Sequence, residues 1–335
     1  MRALRVERLD GPAALVLRDD IEAPAPGPGE IAYAVHAAGV NFPDVLMSQG
    51  RYQHKPRLPF TLGIEAAGVV TAAGEGVTEW RPGDRVVASP ATGGYAEIAV
   101  ADAATAVRVP HATSFATAAA MLLTYGTAWH ALVTRGALRA RERLAVTGAG
   151  GGVGTAACEI GRVLGARVVA LVGSEEKRAA ALGAGAHVAL IAADGDTRDA
   201  IRAECGGLDV LLDTTGGAPF DAGLRALDVG GRALIVGFAS GTIPAIPANR
   251  LLLRELDARG VAWGAWQRRE PQQLRAHFAE MFALVAAERL HPHPRTMYPF
   301  EHAADAVAAM WERRLVGKAV VTVQVDHPPA VRPER

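Results

Sequence analysis

Cysteine is scarce. Only Cys158 and Cys205 occur in 335 residues, too few for a disulfide framework or a four-cysteine zinc lobe. An excess of either charge is also missing: 35 Lys and Arg face 35 Asp and Glu, for a formal net charge of zero. With no basic tract, nucleic acid and an anionic membrane surface are disfavoured as main partners. No apolar run approaches the roughly 18 residues that read as a spanning helix. The opening stretch MRALRVERLDGPAAL mixes charge with apolar residues and lacks the apolar core of a signal peptide. The expectation is a soluble protein of the reducing cytoplasm. Half the residues are hydrophobic and 21% are charged, an ordinary globular balance, and the length suits two domains with a sizeable core.

Two styles of sequence alternate. Up to about Val109 the chain is rich in Gly and Pro, with short β-like runs at 31–37, 66–72, 84–88 and 96–100 parted by turns such as PGPG (26–29) and PGD (82–84). This predicts a mostly antiparallel β domain. An Ala-rich helix is expected at 114–132. Strands at 143–147, 167–172, 188–191, 208–213 and 232–236 then alternate with helices at 153–164, 175–182, 197–204 and 219–227. Strict alternation predicts a parallel sheet wrapped on both faces, so the fold class is α/β. Helices at 271–288 and 301–313 and a strand at 318–325 follow. The proline-rich last ten residues are expected to be loose.

The strongest chemical signal is LAVTGAGGGVG at 144–154, between a predicted strand and a predicted helix. That is the context a dinucleotide-binding turn requires. Gly148 permits the sharp turn, Gly151 and Gly152 let backbone N–H groups approach a pyrophosphate, and Gly154 lets helix and sheet pack closely. Ala149, Gly150 and Val153 complete the cradle, and the helix N-terminus adds partial positive charge. The next strand ends in LVGS, so Gly173 and Ser174 stand where an acid would otherwise bind the ribose 2′-hydroxyl of NAD. Lys177 and Arg178 follow within one helical turn. These groups suit a 2′-phosphate, and NADPH is the expected cofactor. The same two basic residues also fit a plain solvated helix face.

Motifs through the whole chain sharpen the reading. NFPDVL (41–46), GRY (50–52), PFTLGIEAAG (59–68), TYGTAWHAL (124–132), the glycine turn, GFASG (237–241) with NRLLL (249–253), and RLVGK (314–318) resemble the zinc-free NADPH:quinone oxidoreductase branch of the medium-chain dehydrogenase/reductase superfamily, the zeta-crystallin-like proteins. The resemblance implies a GroES-like catalytic domain over 1–122, a Rossmann NADPH-binding domain over 123–262, and a return segment over 263–335 that completes the catalytic domain. It implies a homodimer formed edge to edge through the cofactor domains, with the edge expected along Leu234–Phe238 towards Ile243 and Ile246. Zinc-dependent relatives carry a catalytic cysteine where this chain has Asn41, and Gly-His-Glu where it has Gly63, Ile64 and Glu65. Ile64 ligates nothing and Asn41 is a poor zinc ligand, so no metal is expected. His291 and His293 read as a polar turn. Ala192 stands where many relatives carry a tyrosine, which puts a contact to the adenosine end in doubt.

The chemistry implied is hydride transfer to a quinone or enone, with hydrogen-bond donors meeting the developing oxyanion. Asn41 is the first candidate beside the nicotinamide, against a role capping the next segment. Tyr52 either positions an acceptor carbonyl and donates a proton or simply packs, and Asp44 reads as a helix cap. By resemblance Thr124 and Thr127 border the nicotinamide ribose, with helix packing equally open for Thr127. The backbone of Gly237, Phe238 and Ala239 meets the nicotinamide, and Lys318 reaches the cofactor or flanks the last strand. The two cysteines read as ordinary helix residues. Three functions stand open: an NADPH:quinone reductase, an NADPH-dependent enoyl or acrylyl-thioester reductase, and a nucleotide-binding protein with little turnover.

Overall fold

Runs such as Val168–Val172 are apolar at every position, which suits a strand covered on both faces. In the computed structural model, which describes residues 1–192 and 197–324, that run is the buried strand Arg167–Val172. It lies inside a six-stranded parallel sheet whose spatial order is Val188–Ile191, Arg167–Val172, Arg143–Thr147, Leu208–Asp213, Leu227–Ile235 and Asp257–Gly260. Reversal of strand order next to Arg143–Thr147 creates a switch point, the place where open α/β sheets bind ligands. Val169, Leu171, Leu211, Phe220 and Leu224 belong to one buried cluster of this sheet and its helices.

The described residues divide into two units: 1–120 with 296–314 and 319–324, and 121–192 and 197–295 with 315–318. The second holds the parallel sheet. It reaches Arg295, so the return begins at Thr296 and not at residue 263. The cause is packing: helix Trp263–Arg269 lays the Trp263 ring where a Cβ on Gly126 would stand, and Trp266 stacks on His130 and on His277 of helix Pro271–Ala286.

The first unit is built on antiparallel pairing. Strand Glu30–Gly39 pairs with Ala66–Ala73 on one side and, on the other, with Ile98–Asp102 and then Ala319–Thr322. A three-stranded sheet joins Leu15–Arg18, Ala3–Val6 and Phe60–Thr61. The GroES-like and Rossmann expectations both hold.

Several local expectations change. The helix expected over 114–132 is broken into Phe115–Met121 and Thr124–Trp129, and then runs on as a π-helical turn at His130–Arg135. The expected dimer edge, Leu234–Phe238, is not an edge: Leu234 and Ile235 pair with Leu212 and Asp213 on one side and with Arg259 and Gly260 on the other. Asp257–Gly260 is the outer strand. The last strand is described as Ala319–Thr322, and Val325 and the last ten residues lie outside the described residues. No described helix is long and apolar enough to cross a membrane.

Candidate functional site

The glycine turn joins strand Arg143–Thr147 to helix Gly152–Val163 at the switch point. Gly148 has a φ of 60°, in the left-handed region glycine tolerates. A Cβ there would stand 2.5 Å from Thr214 Oγ1, so the neighbouring loop leaves no room for one. At Gly154 a Cβ would lie 2.2 Å from the Gly148 carbonyl oxygen, which explains the last glycine as close packing of turn on helix. Gly151 differs. Its φ of −93° suits any residue, and a Cβ would meet nothing nearer than 3.5 Å. The first N–H groups of helix Gly152–Val163 have no intrahelical acceptor. An open position at Gly151 beside those donors is a cradle of the kind an anionic group fills.

Three side chains frame the turn. The Lys177 stem packs over Gly150, where a Cβ would come within 2.4 Å of Lys177 Cβ. Thr124 and Lys318 flank Gly152, at 2.9 Å from Thr124 Cγ2 and 3.6 Å from Lys318 Cδ to the same imagined Cβ. Gly317 N–H donates to the Gly150 carbonyl at 2.7 Å, so the segment before the last strand is tied to the turn. Lys318 is buried, and so are Thr124 and Thr127. Ala149 N–H donates to the Leu171 carbonyl at 3.2 Å, which holds the turn against the second strand.

Ser174 caps helix Glu175–Gly183 by accepting from Lys177 N–H. Gly173 faces open space, with nothing within 4 Å of a Cβ built on it. Lys177 and Arg178 separate here. Arg178 Nε donates to the Ala189 carbonyl at 3.1 Å and Nη1 lies 3.4 Å from Glu175, so its guanidinium is committed to the helix and the neighbouring strand. Gly237, Phe238 and Ala239 follow strand Leu227–Ile235. Their backbone is anchored by Gly237 N–H to Asp213 O (3.4 Å) and Ala239 N–H to Thr214 O (3.1 Å), and the Phe238 ring is exposed.

Sequence reasoning missed the group that organises this end of the sheet. Asp213 is fully buried and accepts from Thr147 Oγ1, from Thr215 N–H at 3.2 Å and from Gly216 N–H at 3.0 Å. Burial raises its carboxyl above the ordinary range although those donors oppose the rise. The DTTGG run after a strand was the available signal. Also missed was Glu159, buried on the turn's own helix, which accepts from Tyr125 O–H and from His291 N–H at 2.7 Å. His291 is therefore a partner of that carboxylate, not just a turn. Cys158 is buried on the same helix, and burial pushes its thiol up to about 12. The Cys205 thiol is also raised, chiefly by burial.

In the first unit Asn41 stands at the N-cap of helix Phe42–Ser48. Its side-chain amide donates to Glu65 Oε2 at 2.9 Å and to the Gly39 carbonyl at 3.0 Å, and its backbone N–H donates to Asp44 Oδ2 at 2.9 Å. Tyr95 O–H also donates to Asp44 Oδ2, at 2.8 Å, and its phenol is pushed well above the usual range by burial and by the Asp44 charge. Both carboxylates are fully buried, so these bonds are what makes their burial tolerable. Gly39 is obligatory: a Cβ would lie 2.1 Å from Glu65 Oε2. Both amide hydrogens of Asn41 are spent inside the protein, which favours the capping role over donation to a substrate. Tyr52 is half-buried, in the same unit. No group of three or more His, Cys, Asp or Glu poised for a metal occurs among the described residues.

Residues 27–111 match the alcohol dehydrogenase GroES-like domain and residues 152–283 the zinc-binding dehydrogenase domain. The mouse quinone oxidoreductase-like protein 2 is 35% identical, over 90% of this chain and 87% of that protein. Human quinone oxidoreductase is also 35% identical, over 91% of this chain and 92% of that protein. The Escherichia coli quinone oxidoreductase complexed with NADPH superposes with a TM-score of 0.88 at 28% identity, over 96% of this chain and all of that one (100%). Sequence, fold and glycine turn agree: the chain belongs to the quinone oxidoreductase branch of the medium-chain dehydrogenase/reductase superfamily, a family of oxidoreductases that use a nicotinamide cofactor.

Proposed function

We propose that the protein is an NADPH-dependent quinone reductase that works without a metal. The observation that carries the reading is the turn at 148–154, with an open position at Gly151, helix N–H groups behind it, and Lys177, Thr124 and Lys318 around it. When bound, NADPH supplies the hydride. Backbone amides of Gly150, Gly152 and Val153 hold the pyrophosphate, with Ala149 fixing the turn, while the Gly151 N–H stays on the Gly148 carbonyl at 2.9 Å and its missing side chain leaves the opening. Gly173 and Ser174 leave room for the adenosine ribose, and Lys177 offers its ammonium to the 2′-phosphate. Arg178 is left out of that contact by its bonds to Ala189 and Glu175. Thr124, Lys318 and the backbone of Gly237, Phe238 and Ala239 confine the cofactor at the switch point, with Thr127 supporting Thr124 from inside its helix.

Metal independence is supported by the residues themselves. Ile64 has no donor atom, and the Asn41 amide is engaged by Glu65 and Gly39. Tyr52 is the phenol proposed to orient an acceptor oxygen. The edge that the outer strand Asp257–Gly260 leaves unpaired among the described residues supports a homodimer joined along it. The test is NADPH consumption with an ortho-quinone, a para-quinone, an acrylate and an enoyl thioester in parallel. Turnover of the quinones is expected. Turnover confined to the acrylate or thioester would refute the substrate class, and none with any of the four would refute the enzyme.

A further inference from the structure

Away from the cofactor turn, the second unit has a cleft of about 250 Å³ lined by Arg198, Arg225, Arg250 and Arg254 over Leu224, Leu253 and Leu256. Three helices supply the arginines: Thr197–Cys205, Gly217–Ala226 and Ala248–Arg254. No carboxylate lines the cleft among the described residues. Arg254 Nη1 donates to the Leu227 carbonyl at 2.7 Å, which pins that guanidinium in place. Among the described residues Arg198 reaches only its exposed neighbour Asp199, at 3.3 Å. Arg225 and Arg250 make no side-chain ion pair or hydrogen bond with a described residue.

Four like charges around one cleft repel one another, and two of them also oppose their helices. Arg225 and Arg254 sit in last turns, where the helix dipole favours a cation. Arg198 and Arg250 sit in first turns, where it disfavours one. Packing alone does not account for cations there, because their aliphatic stems would pack as well carrying a neutral head. A bound anion removes both penalties at once. Guanidinium forks from separate helices can grip phosphate or carboxylate oxygens in bidentate fashion. The volume is below the roughly 300–1,000 Å³ usual for drug-sized ligands, which sets the scale of the occupant.

We infer that this cleft is a second anion-binding site, separate from the cofactor turn, that takes a compact multiply charged anion carrying phosphate groups, of pyrophosphate size.

The experiment is calorimetric titration of inorganic pyrophosphate into the protein held saturated with NADPH, at low ionic strength. Wild type should bind, and raising the salt should weaken the binding. Arg250→Gln and Arg225→Gln should each weaken it about tenfold, the loss expected for one charge-assisted contact. The double substitution Arg225→Glu/Arg250→Glu should abolish it, with NADPH affinity and circular dichroism unchanged. Absence of pyrophosphate binding in wild type, or binding that survives the double substitution, would overturn the inference. Sedimentation of the same variants tests the competing occupant. Leu253 in the lining and its neighbour Leu252 are exposed. If the arginine substitutions dissociate a dimer and pyrophosphate has no effect, the cleft is a seat for a second copy and the anion site is refuted.

Discussion

Gly151→Ala separates a structural glycine from one kept clear for a ligand. The new methyl would meet only the Gly148 carbonyl oxygen, at 3.5 Å, an ordinary contact. The φ of −93° imposes no strain. Losing glycine from the unfolded chain stabilises by about 0.4–1 kcal/mol. Alanine is a poorer N-cap than glycine, by a similar amount of about 0.5–1 kcal/mol. The two nearly cancel, so the thermal midpoint should stay within about 3 °C. NADPH should respond differently. A methyl in the cradle holds the pyrophosphate off the helix amides, and each charge-assisted bond lost costs about 1.5–3 kcal/mol, or roughly 10- to 150-fold in affinity. Calorimetry of the free protein with a fluorescence titration of NADPH reads both quantities. Gly154→Ala is the contrasting control, because its Cβ would overlap the Gly148 carbonyl at 2.2 Å and should damage turn and affinity together. An unchanged NADPH affinity in a well-folded Gly151→Ala protein would refute the reasoning.

Lys177→Glu should raise the KM for NADPH by tenfold or more while leaving that for NADH nearly unchanged, since only NADPH carries the 2′-phosphate; parallel steady-state assays decide, and equal changes would deny the contact. Asn41→Ala leaves buried Glu65 without its 2.9 Å donor and should cost about 2–4 kcal/mol by urea unfolding. Glu65→Gln in the same chain should return part of that loss, and simple additivity would show that the pair is not coupled. For pH, burial lowers His130 to about 4, with His277, Arg135 and Arg269 adding repulsion, and burial lowers His277 as well, against an opposing pull from Glu280. The unfolded imidazole binds a proton first, near its usual pKa of about 6.5, so stability is complete above that pH and falls as pH drops from about 6.5 towards 4. His130→Phe should flatten the decline of the thermal midpoint over that window, and an identical decline would remove His130 as its source.

Much of the fold is legible in the sequence because the second unit obeys simple rules. Strands 143–147, 167–172, 188–191 and 208–213 are bounded as their apolar runs predict, and the Gly-Pro punctuation of the first unit marks its short strands. Asp257–Gly260 was not legible: DARG carries charge and is mostly exposed at a sheet edge, so it has no apolar signature. Helix Trp263–Arg269 hides for a related reason, since its inward residues Trp263, Trp266 and Gln267 meet other side chains of distant sequence. In the candidate site, the glycine turn announces itself because its chemistry is backbone chemistry at fixed spacing. The Asp213 and Glu159 networks depend on donors about 66 and 132 residues away in the chain and become visible only once the sheet is assembled. The different surroundings of Lys177, over Gly150, and Arg178, on Ala189 and Glu175, are set by where one helix turn points each stem.

The central claim is best tested by a crystal structure of the protein grown with NADPH. The account predicts pyrophosphate oxygens within hydrogen-bond distance of the backbone N–H groups of Gly150, Gly152 or Val153, over the open face of Gly151, and the 2′-phosphate beside Lys177. NADPH bound elsewhere, with that turn empty, would contradict it.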